Sequence, residues 1–311
     1  MISVAAKRYF GEDALDWLHR SYLLDWYACR VCLLWFFSYI ISFWPVYERE
    51  FSHKDDSISH PHKPSQIGSV LNFAIALYVP LLFLIISGCK KRSLLEIHHG
   101  ALALLAGRGL ARLITEYLKH KVGRLRPDFL ARCKWDKVAK LCTGKASDIL
   151  DGRQSFPSGH SSTAFAGMVF LSLWIAGQTA GLCPSVTPSV KWLPSRMGTF
   201  ILTFIPLFWA VHVAVTRVED YVCVMSLSCF SFLLTVHSHQ RHHKEDVIAG
   251  SLIGIVSAIL CYLLFWPSPF HSKSFSASSA TEPRDLYEAR YQPRRAYELT
   301  AIEDENVVNN V

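Results

Sequence analysis

Residues 161–181, SSTAFAGMVFLSLWIAGQTAG, form an apolar block that directly follows the tetrapeptide Pro157-Ser158-Gly159-His160. The block is long enough to cross a bilayer as a helix, because a membrane span needs roughly 20 residues. Ser158 and Gly159 stand where a loop becomes a helix. This stretch therefore predicts a membrane helix that opens with a histidine.

Four further apolar blocks predict membrane helices, at residues 26–46, 68–88, 198–215 and 247–266. A sixth stretch, 94–118, is weaker because its apolar face is accompanied by ionisable residues that include Arg108, Arg112 and Glu116. Ionisable side chains within a span usually face the bundle interior or approach the interface. The alternative for this stretch is an amphipathic helix on the membrane surface. We predict an all-α, multi-pass integral membrane protein with about six transmembrane helices in a bundle.

The chain has 311 residues, a formal net charge of +7 and nine cysteines. Much of the positive charge lies in loops and near span ends, which favours an anionic membrane surface or a phosphate group over nucleic acid as the partner. Cys29 and Cys32 are spaced as CxxC but sit inside the apolar block 26–46, and no Cys/His metal spacing accompanies them. Cys133 and Cys142 share one polar loop and could form a disulfide if that loop faces an oxidising compartment.

The charge pattern orients the predicted spans. If residues 1–25 are a cytosolic segment without a cleavable signal, the loop 89–93 is also cytosolic, and its three adjacent cations follow the positive-inside rule. Residues 26–266 then form the membrane domain, and 267–311 form a cytosolic tail whose composition predicts disorder. The loop 119–160 lies on the other face and is basic against the rule. Phosphate binding would explain that charge.

Three segments with chemically useful side chains fall on that non-cytosolic face. They are Lys119-His-Lys-Val-Gly-Arg-Leu-Arg126-Pro127, Pro157-Ser158-Gly159-His160, and a third that begins Thr216-Arg217 and resumes at Arg241-His242-His243-Lys244-Glu245-Asp246. Each is weak alone, because a PSGH tetrapeptide can be an ordinary helix start, a basic run can flank a membrane, and histidine pairs are often exposed. Their order and their convergence on one face indicate a site, which we predict at the non-cytosolic membrane face.

These segments supply what a phosphate ester needs for binding. Lys119, Arg126 and Arg217 can place cations around the non-bridging oxygens, and the arginine fork matches phosphate geometry. Ser158 and Gly159 open a helix, where free backbone N–H groups can point at an anion. We therefore predict these five residues as the phosphate-binding set.

The segments also supply a nucleophile and an acid. His242 and Asp246 are four residues apart at a helix start, so they can share a face. A carboxylate bonded to one ring nitrogen fixes the tautomer and makes the other nitrogen a better nucleophile. His160 is then available as the general acid. We predict these three residues as the catalytic set.

The three motifs in this order resemble the signature of the type 2 phosphatidic acid phosphatase superfamily, and residues 20–266 are similar to its lipid phosphate phosphatase branch, most of all to fungal members. The resemblance implies that His242 is transiently phosphorylated, that Asp246 orients it and that His160 protonates the departing lipid hydroxyl. It implies no metal and no cofactor. The implied partners are membrane lipids and a phosphorylated glycerolipid substrate, namely phosphatidate, lysophosphatidate or diacylglycerol pyrophosphate. Thr216 stands where the family usually has serine and keeps the hydroxyl.

One departure from the pattern is large. Between Arg217 and His242 lie 24 residues, where the family pattern has five, and removing residues 222–240 restores the spacing. Residues 222–236 are short for an additional span, and an extra crossing would separate His242 from His160 by about 30 Å of hydrocarbon. A hairpin would keep both on one face, but it would hold Arg217 near His242 only if its ends close together.

A third interpretation is that residues 222–240 are a translated intron. Val222-Cys223 can be encoded by GTATGT, a frequent fungal donor sequence, and Gln240 by CAG, which ends in the acceptor AG. Leu234-Thr235 can be encoded by CTGAC, a common branch-point sequence, and the 19 codons would make 57 nucleotides. Our hypothesis is that the mature enzyme lacks this segment, and we expect weak or absent activity if it is retained.

Two other functions compete with a metal-independent lipid phosphatase. A lipid phosphotransferase would pass the phosphoryl group to an acceptor other than water. A lipid-binding membrane protein with an impaired site would follow if residues 222–240 are retained. The sequence leaves open the oligomeric state and whether the membrane is that of the vacuole, the Golgi, the endoplasmic reticulum or the cell surface.

Overall fold

The structure is a computed structural model that describes residues 9–10, 20–27, 35–62, 66–136, 138–187, 193–218, 221–222, 235–236, 242–275, 281–284 and 286. The described helices are α1 (Arg20–Tyr27), α2 (Trp35–Ile41), α3 (Ser69–Lys91), α4 (Leu94–Val122), α5 (Phe129–Cys133), α6 (Ala146–Gly152), α7 (Gly159–Thr179), α8 (Arg196–Val218) and α9 (Lys244–Phe265). Two short antiparallel ribbons pair β1 (Trp135–Asp136) with β2 (Leu141–Cys142) and β3 (Tyr221–Val222) with β4 (Thr235–Val236). The all-α prediction is confirmed.

The long helices follow the apolar blocks closely. Helices α3, α4, α7, α8 and α9 each cover one predicted span to within a few residues. The first predicted span, 26–46, includes residues 28–34, which lie outside the described part of the chain. Within the described part, α3, α8 and α9 are long and apolar enough to cross a membrane. The total of six spans, the cytosolic segment 1–25 and the disordered tail 267–311 therefore stay predictions.

Helix α7 is the central helix, because nearly every position from Ser161 to Thr179 is buried. Close packing rests on glycines of this helix and its neighbour α9. A Cβ on Gly167 would lie 2.1 Å from the carbonyl oxygen of Ala76 in α3, and one on Gly250 would lie 2.4 Å from that of Ser158. Small residues at such positions let helix backbones approach closely, as in membrane bundles.

The outer faces of α3, α8 and α9 expose apolar side chains. In α9 a residue at every fourth position is more than half exposed, namely Ile248, Leu252, Val256, Leu260 and Leu264. Residues spaced four apart lie on one face of a helix, so they form a continuous apolar stripe. A stripe of this kind fits contact with lipid rather than with water.

The end of α4 directs the chain into the first motif. Gly123 follows the helix in the left-handed conformation, with φ of 55°, and its N–H bonds the carbonyl oxygen of Lys119. A Cβ there would lie 2.0 Å from the carbonyl oxygen of Tyr47. Only glycine fits such a turn without strain. The turn places Arg124 and Arg126 directly beyond the helix end.

The loop beyond that turn is held by a disulfide and by ion pairs. Cys133 and Cys142 form a disulfide with their Cα atoms 4.8 Å apart, which realises the pairing considered from the sequence. Arg132 is buried and bonds Asp128 at 2.9 Å and Asp151 at 2.6 Å. These contacts fix the loop against the end of the bundle that carries the motifs.

Candidate active site

The predicted site residues meet at one end of the bundle. The backbone N–H of His242 donates to the carbonyl oxygen of Arg217 at 3.2 Å, which joins the C-terminal end of α8 to the start of α9. The N–H of Ser158 donates to the carbonyl oxygen of Asp246 at 2.9 Å, which joins the starts of α7 and α9. A Cβ on Gly159 would lie 3.4 Å from Lys119 Nζ, at the end of α4.

His242 is buried and its ring is oriented by the backbone. Its Nδ1 lies 2.9 Å from the carbonyl oxygen of Ser155, and it therefore carries the proton of that hydrogen bond. The other ring nitrogen, Nε2, is then unprotonated in the neutral ring and has a free lone pair. Burial lowers the pKa of His242 to about 4, despite the opposing effect of Asp246. The imidazole is thus neutral at pH 7.

Asp246 acts on His242 by a less direct route than the sequence suggested. Its Oδ2 lies 3.8 Å from His242 Nδ1, which is longer than a hydrogen bond. The carboxylate is instead fully buried and accepts hydrogen bonds from the Ser155 hydroxyl, from Arg124 Nη1 at 2.8 Å and from the His243 backbone N–H at 3.2 Å. Ser155 therefore links the carboxylate to the ring, since its hydroxyl bonds Asp246 and its carbonyl bonds His242.

His160 faces the same site from the first turn of α7, just before the predicted span 161–181. Its carbonyl oxygen accepts a hydrogen bond from Asn72 Nδ2 at 2.9 Å. Its Nε2 is buried and has no hydrogen-bond partner among the described residues. Burial, together with the positive charges of nearby cations that include Arg217, Arg126 and Lys119, lowers the pKa of His160 to about 3.

The three predicted cations are each held by other residues. Lys119 Nζ lies 3.1 Å from Glu116 in the preceding turn. Arg126 Nη2 lies 2.7 Å from Asp151 Oδ1. All three contribute to the low pKa of His160, so each lies near that side chain.

Arg217 is the most enclosed of these cations, with 1% of its surface exposed. Its guanidinium donates to the Thr216 hydroxyl at 3.2 and 3.3 Å and to the carbonyl oxygen of Ile67 at 3.4 Å. The Thr216 hydroxyl in turn donates to the carbonyl oxygen of Val213 at 2.8 Å. The Thr216 hydroxyl therefore helps to orient this arginine.

Ser158 and Gly159 differ in what they offer an anion. The N–H of Ser158 is already bonded to Asp246, so it is not the free donor expected at a helix start. The Ser158 hydroxyl is fully buried and accepts from Ser161 Oγ at 3.2 Å. Gly159 is the residue of the pair whose open side faces Lys119.

The sequence motifs missed three residues that shape the site. Ser155 bridges Asp246 and His242, Arg124 bonds Asp246, and Asp151 bonds Arg126. Arg124 lies inside the first motif, and Ser155 stands two residues before Pro157. That proximity is the one sequence signal for Arg124 and Ser155, since the residues they contact are distant along the chain.

Comparison with known proteins shows the family to which the chain belongs. Diacylglycerol pyrophosphate phosphatase 1 of Saccharomyces cerevisiae is 31% identical over 248 residues, which cover 74% of this chain and 75% of that protein. The chain belongs to the PAP2 superfamily. The PAP2 superfamily profile matches residues 100–226. This match includes Lys119, His160 and Arg217, and it ends inside the segment 222–240, before His242.

Other PAP2 relatives are lipid phosphatases by name. Lipid phosphate phosphatase 1 of Arabidopsis thaliana is 31% identical over 222 residues, which cover 68% of this chain and 59% of that protein. Phospholipid phosphatase 2 of Homo sapiens is 28% identical over 242 residues, which cover 70% of this chain and 74% of that protein. The chain therefore spans only about three fifths of the length of the Arabidopsis thaliana protein. No solved structure matches the chain.

Proposed function

We propose that this PAP2 protein is an integral membrane lipid phosphate phosphatase that works through a phosphohistidine intermediate. The observation that carries the proposal is the pair His160 and His242 among Lys119, Arg126 and Arg217, at one end of a bundle with apolar outer faces. The substrates proposed are phosphatidate, lysophosphatidate or diacylglycerol pyrophosphate, because such lipids place a phosphate at the membrane interface. The names of its relatives, which mention lipid phosphates and diacylglycerol pyrophosphate, support this class of substrate.

The first step is attack of His242 Nε2 on the phosphorus atom. A P–N bond forms, the bond from phosphorus to the lipid oxygen breaks, and its electron pair stays on that oxygen. The contact of Nδ1–H with the Ser155 carbonyl supports this assignment, because it fixes the tautomer and offsets the positive charge that develops on the ring. Asp246 stabilises the arrangement through Ser155.

His160 is proposed to give a proton to the departing lipid oxygen. Its pKa of about 3 makes it neutral at pH 7. A bound phosphate adds negative charge among the cations that lower this pKa, so the proton affinity of His160 rises when substrate binds. Water then attacks the phosphohistidine, His160 takes a proton from it, and inorganic phosphate leaves.

The disulfide loop supports a non-cytosolic location for the site. Cys133 and Cys142 lie in the loop that packs at the active-site end of the bundle, and disulfides persist in oxidising compartments. The lumen of the vacuole, the Golgi or the endoplasmic reticulum, or the cell exterior, would meet this condition.

Phosphate release from phosphatidate in detergent micelles, measured without magnesium and with a chelator, tests the function. The assay uses the full chain and the form that lacks residues 222–240. We expect activity in at least one of these forms and a loss of at least about 10³-fold when His242→Ala is introduced into it, because the nucleophile is removed. A substrate labelled in the phosphate should label the protein, and the label should be absent in that variant. Activity that survives His242→Ala would refute the nucleophile assignment, and activity abolished by the chelator would refute a metal-independent reaction.

A further inference from the structure

A cavity of about 240 Å³ opens beside His160, between α3, α4 and α7. Lys119 and Gly159 form one part of its wall, so it is continuous with the proposed phosphate site. Arg108 and Arg112 form another part of the wall, and they precede Lys119 in α4 by about two to three turns. Neither arginine has a role in the reaction described above.

Arg108 is a buried cation with unused donors. It is 4% exposed, and its guanidinium lies over the ring of Phe73, 4.3 Å from the ring centroid. One Nη donates weakly to the Phe73 carbonyl oxygen at 3.4 Å. The Nε and the other Nη are buried and make no hydrogen bond to any described residue. Such a group is costly to bury unless a ligand supplies acceptors.

The guanidinium of Arg108 lies closer to the reaction site than its position in α4 suggests. Phe73, which it contacts, follows Asn72 in α3, and Asn72 bonds the carbonyl oxygen of His160. The Cα atoms of Asn72 and Phe73 are about 3.8 Å apart, as in any two consecutive residues. Arg108 and the first turn of α7 therefore contact adjacent residues of α3. The Arg108 side chain therefore reaches back towards the phosphate site.

The lining of the cavity has a surplus of positive charge. Among its described lining residues, three cations stand against a single carboxylate, Glu116, which already pairs with Lys119 at 3.1 Å. The guanidinium of Arg112 lies over the Trp35 ring, 5.4 Å from the centroid. Aromatic rings satisfy guanidinium faces but not their N–H donors. The cavity thus fits an anion better than a neutral group.

We propose that Arg108 and Arg112 bind a second anionic group of the substrate, on the leaving-group side of the reactive phosphate. The lipid part of a substrate must extend towards the membrane interior, where α4 carries these arginines. The inference rests on the proposed phosphatase function and selects, within it, lipids that carry a pyrophosphate over lipids that carry one phosphate.

The chemistry of the step explains why the two substrate classes should differ. When His242 Nε2 attacks the terminal phosphorus of a pyrophosphate, the P–N bond forms, the bridging P–O bond breaks, and the electron pair stays on a phosphate monoester. That leaving group keeps its charge without a proton, and a nearby guanidinium stabilises it. A leaving alcohol needs a proton from His160 instead. Water then cleaves the P–N bond and releases inorganic phosphate in both cases.

The ratio of kcat/KM for a pyrophosphate lipid to kcat/KM for phosphatidate, measured in mixed micelles, is the readout. It is measured on the full chain and on the form that lacks residues 222–240. Arg108→Met should lower the ratio by about 10- to 100-fold, the range for a hydrogen bond to a charged group. The matched control is Lys121→Met, which removes an exposed cation near the Trp44 ring on the same helix and should leave the ratio within about 2-fold.

Several results would overturn the inference. An unchanged ratio for Arg108→Met would do so. If kcat/KM falls equally for both ester-linked substrates but not for an ether-linked phosphatidate, the arginine binds ester carbonyls and not a second anionic group. If Arg108→Met does not fold, Arg108→Lys keeps the charge but loses the fork, and it should lower the ratio by about 3- to 10-fold. If neither the full chain nor the form that lacks residues 222–240 hydrolyses either substrate, the proposed function itself is refuted.

Discussion

The backbone N–H of His242 donates a hydrogen bond to the carbonyl oxygen of Arg217 at 3.2 Å, although 24 residues separate them in sequence. The ends of the intervening segment also meet, because Tyr221 pairs with Val236 and Val222 with Thr235. Residues 223–234 and 237–241 lie outside the described part of the chain. The fold-back that the sequence left open is therefore present, and the contact between the two motif halves does not require the middle of the segment.

Deletion of residues 222–240 should give a folded protein with phosphatase activity at least equal to that of the full chain. The reason is that Arg217 and His242 are already in contact, and the deletion leaves the family spacing of five residues between them. Phosphate release and thermal melting of both forms in detergent check this. A deletion form that melts normally but releases no phosphate would contradict the prediction.

The messenger sequence across codons 215–245 tests the origin of the segment. We expect a transcript that lacks 57 nucleotides, because the segment begins and ends with residues whose codons can match splice signals. Sequencing of complementary DNA gives the answer directly. A uniform transcript that retains all 57 nucleotides would rule out the intron, and the hairpin pairing would then be the means by which the site assembles.

Asp246→Asn should lower kcat by about 10- to 100-fold, and Ser155→Ala by about 2- to 10-fold. The first change weakens charge-assisted bonds to Arg124, Ser155 and the His243 N–H, whereas the second removes one hydroxyl and keeps the carbonyl that bonds His242. Single-turnover phosphorylation of the protein measures both effects. If Ser155→Ala were the more damaging change, the route from Asp246 to the ring would have to be reconsidered.

Much of the fold was predictable because it rests on local composition. The bounds of α3, α4, α7, α8 and α9 follow from apolar blocks, most of which stop at charged or glycine-containing ends. The order of the three motifs likewise predicted which helix ends meet. Such features depend on residues that are close together in sequence.

The contacts of the site were less predictable because they join distant segments. The spacing of His242 and Asp246 suggested a direct hydrogen bond, but the Ser155 carbonyl occupies Nδ1. The N–H of Ser158 was expected to be free, but α9 packs against it through Gly250 and uses it. Neither contact has a sequence signature, since each depends on how closely two helices approach.

Burial of neutral His242 should make the protein less stable in acid. Its pKa is about 4 in the folded state and 6.5 in the reference state, so the unfolded chain binds an extra proton between these values. Stability is therefore lost as pH falls from about 6.5 to about 4. We expect the melting temperature of the unsubstituted protein to fall more steeply over this range than that of His242→Asn. Parallel curves for the two proteins would show that the imidazole is not buried in its neutral form.

Loss of the Cys133–Cys142 disulfide should weaken both stability and substrate binding. The bridge closes a short loop, which by chain entropy contributes about 2–3 kcal/mol, and it adjoins Arg132, which bonds the same Asp151 that holds Arg126. We expect the double serine variant to melt at a lower temperature and to raise KM more than it lowers kcat, because Arg126 is predicted to bind phosphate rather than to react. Cys89→Ser, a free cysteine at the opposite end of the bundle, is the matched control and should change neither quantity. An unchanged KM in the double variant would separate the disulfide from the phosphate site.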